Sequence, residues 1–194
     1  MNFKCIDDLP MIPEFDDCNP QFQFGEIDEI IVSHLYKEDE QENEITPYPI
    51  DVSSADDWEL LFTRDAQTGE ATAYRIPVRG VLSEPDQTVL DASKNRKAYP
   101  PAEWSIESRV DDLSDVVYEA LRQLRNKQVR IWFIAGGNIF GGTQGIVPAS
   151  INAYPVIEEG FDTMHNFHLN ATWKSDEIPE RAPAPEFDPE DTTE

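Results

Sequence analysis

Basic residues are scarce in this sequence: 15 Lys and Arg stand against 39 Asp and Glu over 194 positions, a formal net charge of −24. A surface so short of cations repels nucleic-acid phosphates and anionic membranes, which excludes ordinary electrostatic binding to either. Cysteine is nearly absent. Cys5 and Cys18 lack the Cys-x-x-Cys spacing of redox and zinc sites. Two free thiols in a reducing compartment are expected, with a disulfide between them as the alternative. The three histidines, His34, His165 and His168, form no catalytic set. A separation of three along a strand turns His165 and His168 to opposite faces, so they cannot easily share one metal ion. No apolar run approaches the roughly 20 residues that cross a bilayer. The opening Met1-Asn2-Phe3-Lys4 begins no secretory signal. Synthesis and folding in a cytoplasm, without a membrane partner, are expected.

Recognisable catalytic patterns are missing too. Gly136 and Gly141 have the separation of a phosphate loop, but Gly142 occupies the place of the lysine before Thr143. Apparent strand follows, where an anion site would need a helix N-terminus. The stretch from Gly136 to Thr143 therefore predicts turns between strands. The acidic runs lack the ligand spacing and central glycine of a calcium loop, and there is no Gly-x-Ser-x-Gly elbow. Carboxylate pairs arise by abundance alone, and nothing marks one pair as perturbed. The sequence thus predicts no enzyme: no catalytic residue, no cofactor and no metal site.

What is present can build a core. Hydrophobic residues make up 39% and aromatics 10% of the chain, more than an acidic disordered polymer carries. Residues 1–24 hold Pro10, Pro13 and Pro20 without a sustained period and read as an extended N-terminal arm. The β-rich domain spans 25–174. Ile27, Ile30, Ile31, Val32 and Leu35 predict a first strand, and the charge run 37–44 a solvated loop tip. Ser54 and Asp57 stand as a cap before Trp58, Leu60, Leu61 and Phe62, predicting a short helix. Tyr74, Ile76 and Val78 alternate with polar positions as a half-buried strand, bulged or at an edge because Pro77 cannot donate to a ladder.

Trp104, Ile106, Ser108 and Val110 predict the next strand. The clearest helix spans 112–127, with Leu113, Val116, Val117, Leu121 and Leu124 at three- and four-residue steps. Acids at its start and Arg122, Arg125 and Lys127 at its end complement the dipole. The apolar run 129–135 predicts a central strand, and 146–157 and 163–173 the last two. Residues 175–194 are acidic and proline-rich and read as a flexible or surface-draped tail. The sum is a mainly β (α+β) fold, an antiparallel sandwich or barrel with one main flanking helix and extended terminal arms.

Residues 83–101 lack a hydrophobic period and read as a long loop, which in a compact domain is functional or mobile. It holds the one dense basic cluster, Lys94, Arg96 and Lys97. Three cations on so acidic a chain are read as contacts to an acidic surface of a neighbouring copy rather than as a nucleic-acid patch.

The order of these pieces resembles virion structural proteins of tailed bacteriophages, particularly tail tube subunits. The resemblance runs from Cys18-Asn19-Pro20 and Phe24-Gly25-Glu26-Ile27 through the Trp58 helix, the Trp104 strand and the helix with Tyr118, Leu121 and Leu124. It continues through the strand 129–135 into Gly136-Gly137 and Gly141-Gly142, covering roughly residues 18 to 173. It is one of layout, and none of these motifs is specific. It implies a β-sandwich with one flanking helix and self-association into stacked, commonly hexameric rings whose sheets join across subunits. A loop and the terminal arms would join one ring to the next, and an acidic lumen would pass DNA without binding it during genome ejection. Here 83–101 would be the inter-ring loop, and the protein would be located in the virion with other virion proteins as partners. The long acidic C-terminal tail departs from the minimal pattern and leaves a head–tail joining or capsid-decorating protein as the alternative. Charge alone also permits a DNA mimic that occupies a nucleic-acid-binding protein, and, further off, a carboxylate-based metal-assisted hydrolase.

Overall fold

The computed structural model describes residues 26–35, 37–38, 44–45, 48–63, 71–87, 90–93, 96–98, 100–110, 114–125, 127–156 and 166–187. The arm 1–24, with Cys5 and Cys18, lies outside these residues, as do Lys94 and His165.

Strand β1 (Ile27–His34) carries the apolar run expected to start the domain. A register shift between Ile27 and Glu29 changes its parity, so Ile27, Ile30 and Val32 enter one core while Ile31 enters another. Burial on both faces explains why the run is continuous rather than alternating. The charge run beyond it forms a small antiparallel pair, β2 (Lys37–Glu38) with β3 (Glu44–Ile45). Helix α1 (Ala55–Phe62) starts as read: the Ser54 hydroxyl accepts from the Asp57 amide at 3.3 Å. Strand β4 (Ala73–Leu82) is interior to its sheet, and Pro77 sits at the β1 register shift, before the pairing to the other neighbour begins at Arg79. Of the two expected settings for this proline, the structure uses the bulge.

The segment expected as an unpatterned loop contains a hairpin, β5 (Leu90–Ser93) with β6 (Arg96–Ala98). Leu90, Ala92 and Ala98 are too sparse to show a period, so the hairpin was hidden in the sequence. Strands β7 (Ala102–Val110), β8 (Val129–Ala135), β9 (Asn138–Phe140), β10 (Ser150–Val156), β11 (Asn166–Ser175) and β12 (Arg181–Pro183) are the remaining described strands, with helix α2 (Asp115–Leu124) between β7 and β8. Gly136 and Gly137, at φ 55° and 74°, make the two-residue turn of the β8–β9 hairpin. Two left-handed positions in succession are what such a turn requires, and glycine adopts them without steric cost.

Eight strands form one antiparallel sheet in the order β10-β11-β7-β4-β1-β8-β9-β12. Among the described residues the fold is mainly β with two helices, in the α+β class expected. Flat, such a sheet would span about 34 Å at the usual strand spacing, whereas a ten-residue helix is only about 15 Å long. Yet one face buries seventeen side chains from six strands, with Leu121 of α2 among them in a single cluster. One helix cannot cover that area alone. Where a sandwich or barrel was expected, the described strands form one continuous antiparallel sheet whose edge strands, β10 and β12, are not hydrogen-bonded to each other.

A second cluster lies on the opposite face of β1, β8 and β9, beneath α1 and the C-terminal residues. Trp58 is fully buried there and donates to the Val52 carbonyl at 3.0 Å. It meets Trp132 edge-on at 5.1 Å and stacks on Phe62 at 5.6 Å. Strand β12 pairs with β9, and Phe187 closes over Trp58 and Phe62. The C-terminal residues up to Phe187 are thus built into the fold.

Candidate assembly surface

Among the described residues only half of the outer sheet face is covered. The second cluster stops at β4, and no described residue lays an apolar layer over the outward side chains of β4, β7, β11 and β10. The alternation of each strand puts Arg79 and Val81, Glu103, Ser105, Glu107 and Arg109, His168, Asn170, Thr172 and Lys174, and Asn152 and Tyr154 on that face. Side chains there bond sideways. Ser150 and Thr172 share a 2.8 Å hydroxyl contact, Tyr154 lies against His168 at 5.6 Å, and Lys174 reaches Glu103 at 3.6 Å. Three enclosed polar atoms on β11, Asn166 Oδ1, His168 Nε2 and Asn170 Oδ1, have no hydrogen-bond partner. Enclosed groups of that kind are uncommon and invite one.

The two edges of the sheet differ. Strand β10 bonds to β11 along its whole length, and its other side pairs with no described strand. Its seven residues, SINAYPV, carry no charge in a chain that is 28% charged. Natural edge strands are blunted by lysine, proline or brevity. Strand β12 obeys that rule, with three residues that include Arg181 and Pro183. Strand β10 has only Pro155, one residue from its end. Helix α2 packs against β10, and no described strand pairs along its outer side.

Charge is segregated between the two sides. Helix α1, the turn before it and the C-terminal residues carry Asp51, Asp56, Asp57, Glu59, Asp176, Glu177, Glu180 and Glu186 with Arg181, and Arg75 and Arg130 pack on that side against Phe62, Phe187 and Tyr48, whereas the uncovered face sets Arg79, Arg109 and Lys174 against Glu103 and Glu107 among the described residues. Helix α2 bears a local pair on its solvent side. Arg122 holds Glu119 by two 2.8 Å bonds and, with help from Gln123, pulls that carboxyl down from its ordinary 4.5 to about 2.

The basic residues read as contacts do not form one patch that the structure describes. Lys94 lies outside the described residues, while Arg96 and Lys97 fall on β6, in register with Ser93 and Asp91. His168 is on the uncovered face, and His34 is at the far end of β1, edge-on to Tyr74 at 6.5 Å. Among the described residues no cluster of three metal-ligating side chains occurs, and no helix is long and apolar enough to cross a membrane. The glycines beyond Gly137 enclose Trp132, whose indole N–H donates to the Gly142 carbonyl at 2.8 Å. The place of β10 at the sheet edge was not anticipated, because sequence gives strand existence more readily than strand order. Its signal was there in the uncharged run 146–156.

No family model, no curated protein and no solved structure matches the chain.

Proposed function

We propose that the protein is a self-assembling virion structural subunit of the tail-tube kind, in which the sheet of one copy continues into the next to close a ring and rings stack into a tube. The observation that carries this reading is the β10 edge: seven uncharged residues, paired on one side only among the described strands, beside a polar sheet face that no described apolar layer covers. A strand added there extends an eight-stranded sheet and satisfies the donors and acceptors along that edge. A uniform polar face then runs around the ring. If that face lines the bore, its wall interleaves Arg79, Arg109 and Lys174 with Glu103 and Glu107. The acidic side, with α1 and the C-terminal residues, would then face outward or toward neighbouring virion components. An acidic bore requires the opposite orientation. In either, DNA would pass without a specific site, and no catalytic role is proposed.

Negative-stain microscopy and sedimentation of the purified full chain test the reading. Closed rings or tubes are expected, and six copies per ring would fit the tail-tube resemblance. A head–tail joining or capsid-decorating subunit would give rings that do not stack, or a protein that assembles only on a capsid. The carboxylates grouped on the α1 side also favour a second reading, a mimic of DNA that occupies a basic protein. A monomer at every concentration that captures basic proteins at low salt and releases them at high salt would establish that reading and remove the first.

A further inference from the structure

The outer face of β10 and β11 has an uncharged centre. Ser150 stands opposite Thr172, Asn152 opposite Asn170 and Tyr154 opposite His168, and Asn166 continues the row on β11. None of these is an acid, a lysine or an arginine, in a chain of which 28% is charged. On the next strand, β7, Arg109 is in register with His168 and Glu107 with Asn170, one charge of each sign. Such a surface selects neither an ion nor an apolar segment. It offers hydrogen bonds, from amides, hydroxyls and an imidazole that each both donate and accept.

Part of that capacity is unused. Asn166, His168 and Asn170 occupy every second position of β11, so they share a face at intervals of about 7 Å. Each has one enclosed polar atom without a partner, Asn166 Oδ1, His168 Nε2 and Asn170 Oδ1. Asn166 is only 4% exposed. Enclosed polar atoms in folded proteins are nearly always paired, so three in succession along one face mark a place that takes a partner. A hydroxyl meets the need best. It donates and accepts at once, so it satisfies an amide turned either way and either neutral tautomer of the histidine.

Tyr154 supplies the apolar part of the same surface. It is 40% exposed and lies against His168 at 5.6 Å, with 32° between the rings. Its hydroxyl accepts from the Asn170 amide at 3.4 Å, longer than the usual 2.9–3.0 Å. One loosely held ring thus touches two of the three residues, and a change of rotamer moves it off both. Its open face is a platform for C–H groups, beside side chains that take hydroxyls. A sugar ring combines those two features: hydroxyls around its rim and C–H bonds on its face.

We infer that the outer β10–β11 face is a binding site for a neutral glycan, whose hydroxyls partner Asn166, His168 and Asn170 and whose ring rests on Tyr154. The site lies within a single chain and does not rest on the self-assembly reading. In a ring it requires this face outward, the orientation that gives an acidic bore.

Native electrophoresis of the full chain tests the site, in gels that hold mannan, dextran, starch or the anionic polysaccharide alginate, beside a gel with none. Retardation by at least one of the three neutral polymers is expected, and none by alginate. Tyr154→Ala and Asn170→Ala should each weaken the retardation about tenfold, the scale of one or two neutral hydrogen bonds. Leu60→Ala, at a residue of α1 that is 77% exposed, should leave it unchanged. Two face positions are varied so that a loss of folding at one, read from the urea midpoint, leaves the other to decide. The inference is overturned if no neutral polymer slows the protein, if alginate slows it as much, or if both folded variants bind like the parent. A lower assembled fraction in the variants, with no retardation of the parent, assigns the face to a second copy; it removes the glycan site and leaves the ring reading intact.

Discussion

Trp132 shows how single residues fix this fold. Its ring is fully buried between α1 and the glycine-rich chain that follows β9. A Cβ on Gly145 would lie 2.6 Å from Trp132 Cζ2, and Gly145 also has a φ of +70°. Two independent constraints, contact and backbone conformation, therefore demand glycine there. The glycines that invite a phosphate-loop reading serve instead to wrap an indole. Gly145→Ala should lower stability by about 1–3 kcal/mol, the usual cost of a strained position, measured as a shift in the urea midpoint at unchanged slope. An unchanged midpoint would mean that the loop is free to move away from Trp132. The Arg75–Glu29 pair illustrates the same economy of parts. Arg75 is held by two bonds from its guanidinium to Glu29, and it also lies 4.4 Å from the centre of the Phe187 ring. One side chain thus ties the sheet to the C-terminal residues.

At the scale of elements, what the sequence displayed and what it concealed have physical causes. Helix α2 was legible because Val117, Leu121 and Leu124 repeat at helical steps, while its start at Asp115 is set by Ser114, a cap the sequence reading of 112–127 did not use. Helix α1 was legible through Ser54 and Trp58, and β7 and β11 through strict alternation. The C-terminal strap was not. Phe187 is a lone aromatic in an acidic, proline-rich run, and one residue makes no period. Its role depends on Trp58 and Phe62, which are more than a hundred positions away. Strand β9 is three residues long, too short for any pattern. The β5–β6 hairpin was missed for a similar reason, and with it the setting of Arg96 and Lys97. Phe187→Ala tests the strap. Removing a partly buried phenyl that touches Trp58 should cost about 2–4 kcal/mol and shift the tryptophan emission to the red as water reaches the second cluster. A mutant with native emission and native melting would show that β12 and α1 hold without it.

Strand order and the two unlike edges belong to the whole molecule, and no local pattern reports them. Among the described residues, charge is divided between an acidic α1 side and a nearly balanced sheet face, so the net −24 resists association without forbidding it. In the proposed assembly the β10 edge would contribute hydrogen bonds and apolar contact but no charge. Salt should therefore act in one direction on edge pairing. Between low salt and 0.5 M the screening length falls from tens of ångströms to a few, repulsion between copies weakens, and the assembled fraction by sedimentation should rise. Asn152→Lys with Tyr154→Lys separates geometry from charge. The double substitution brings the formal charge from −24 to −22, which on net repulsion alone favours association. Lysines on a bare edge oppose strand addition whatever the net charge. The variant should therefore remain monomeric at every salt concentration, with its stability changed by no more than about 1 kcal/mol because both positions face solvent or are only half-buried. If it assembles as well as the parent, or better, the contact between copies does not run through β10.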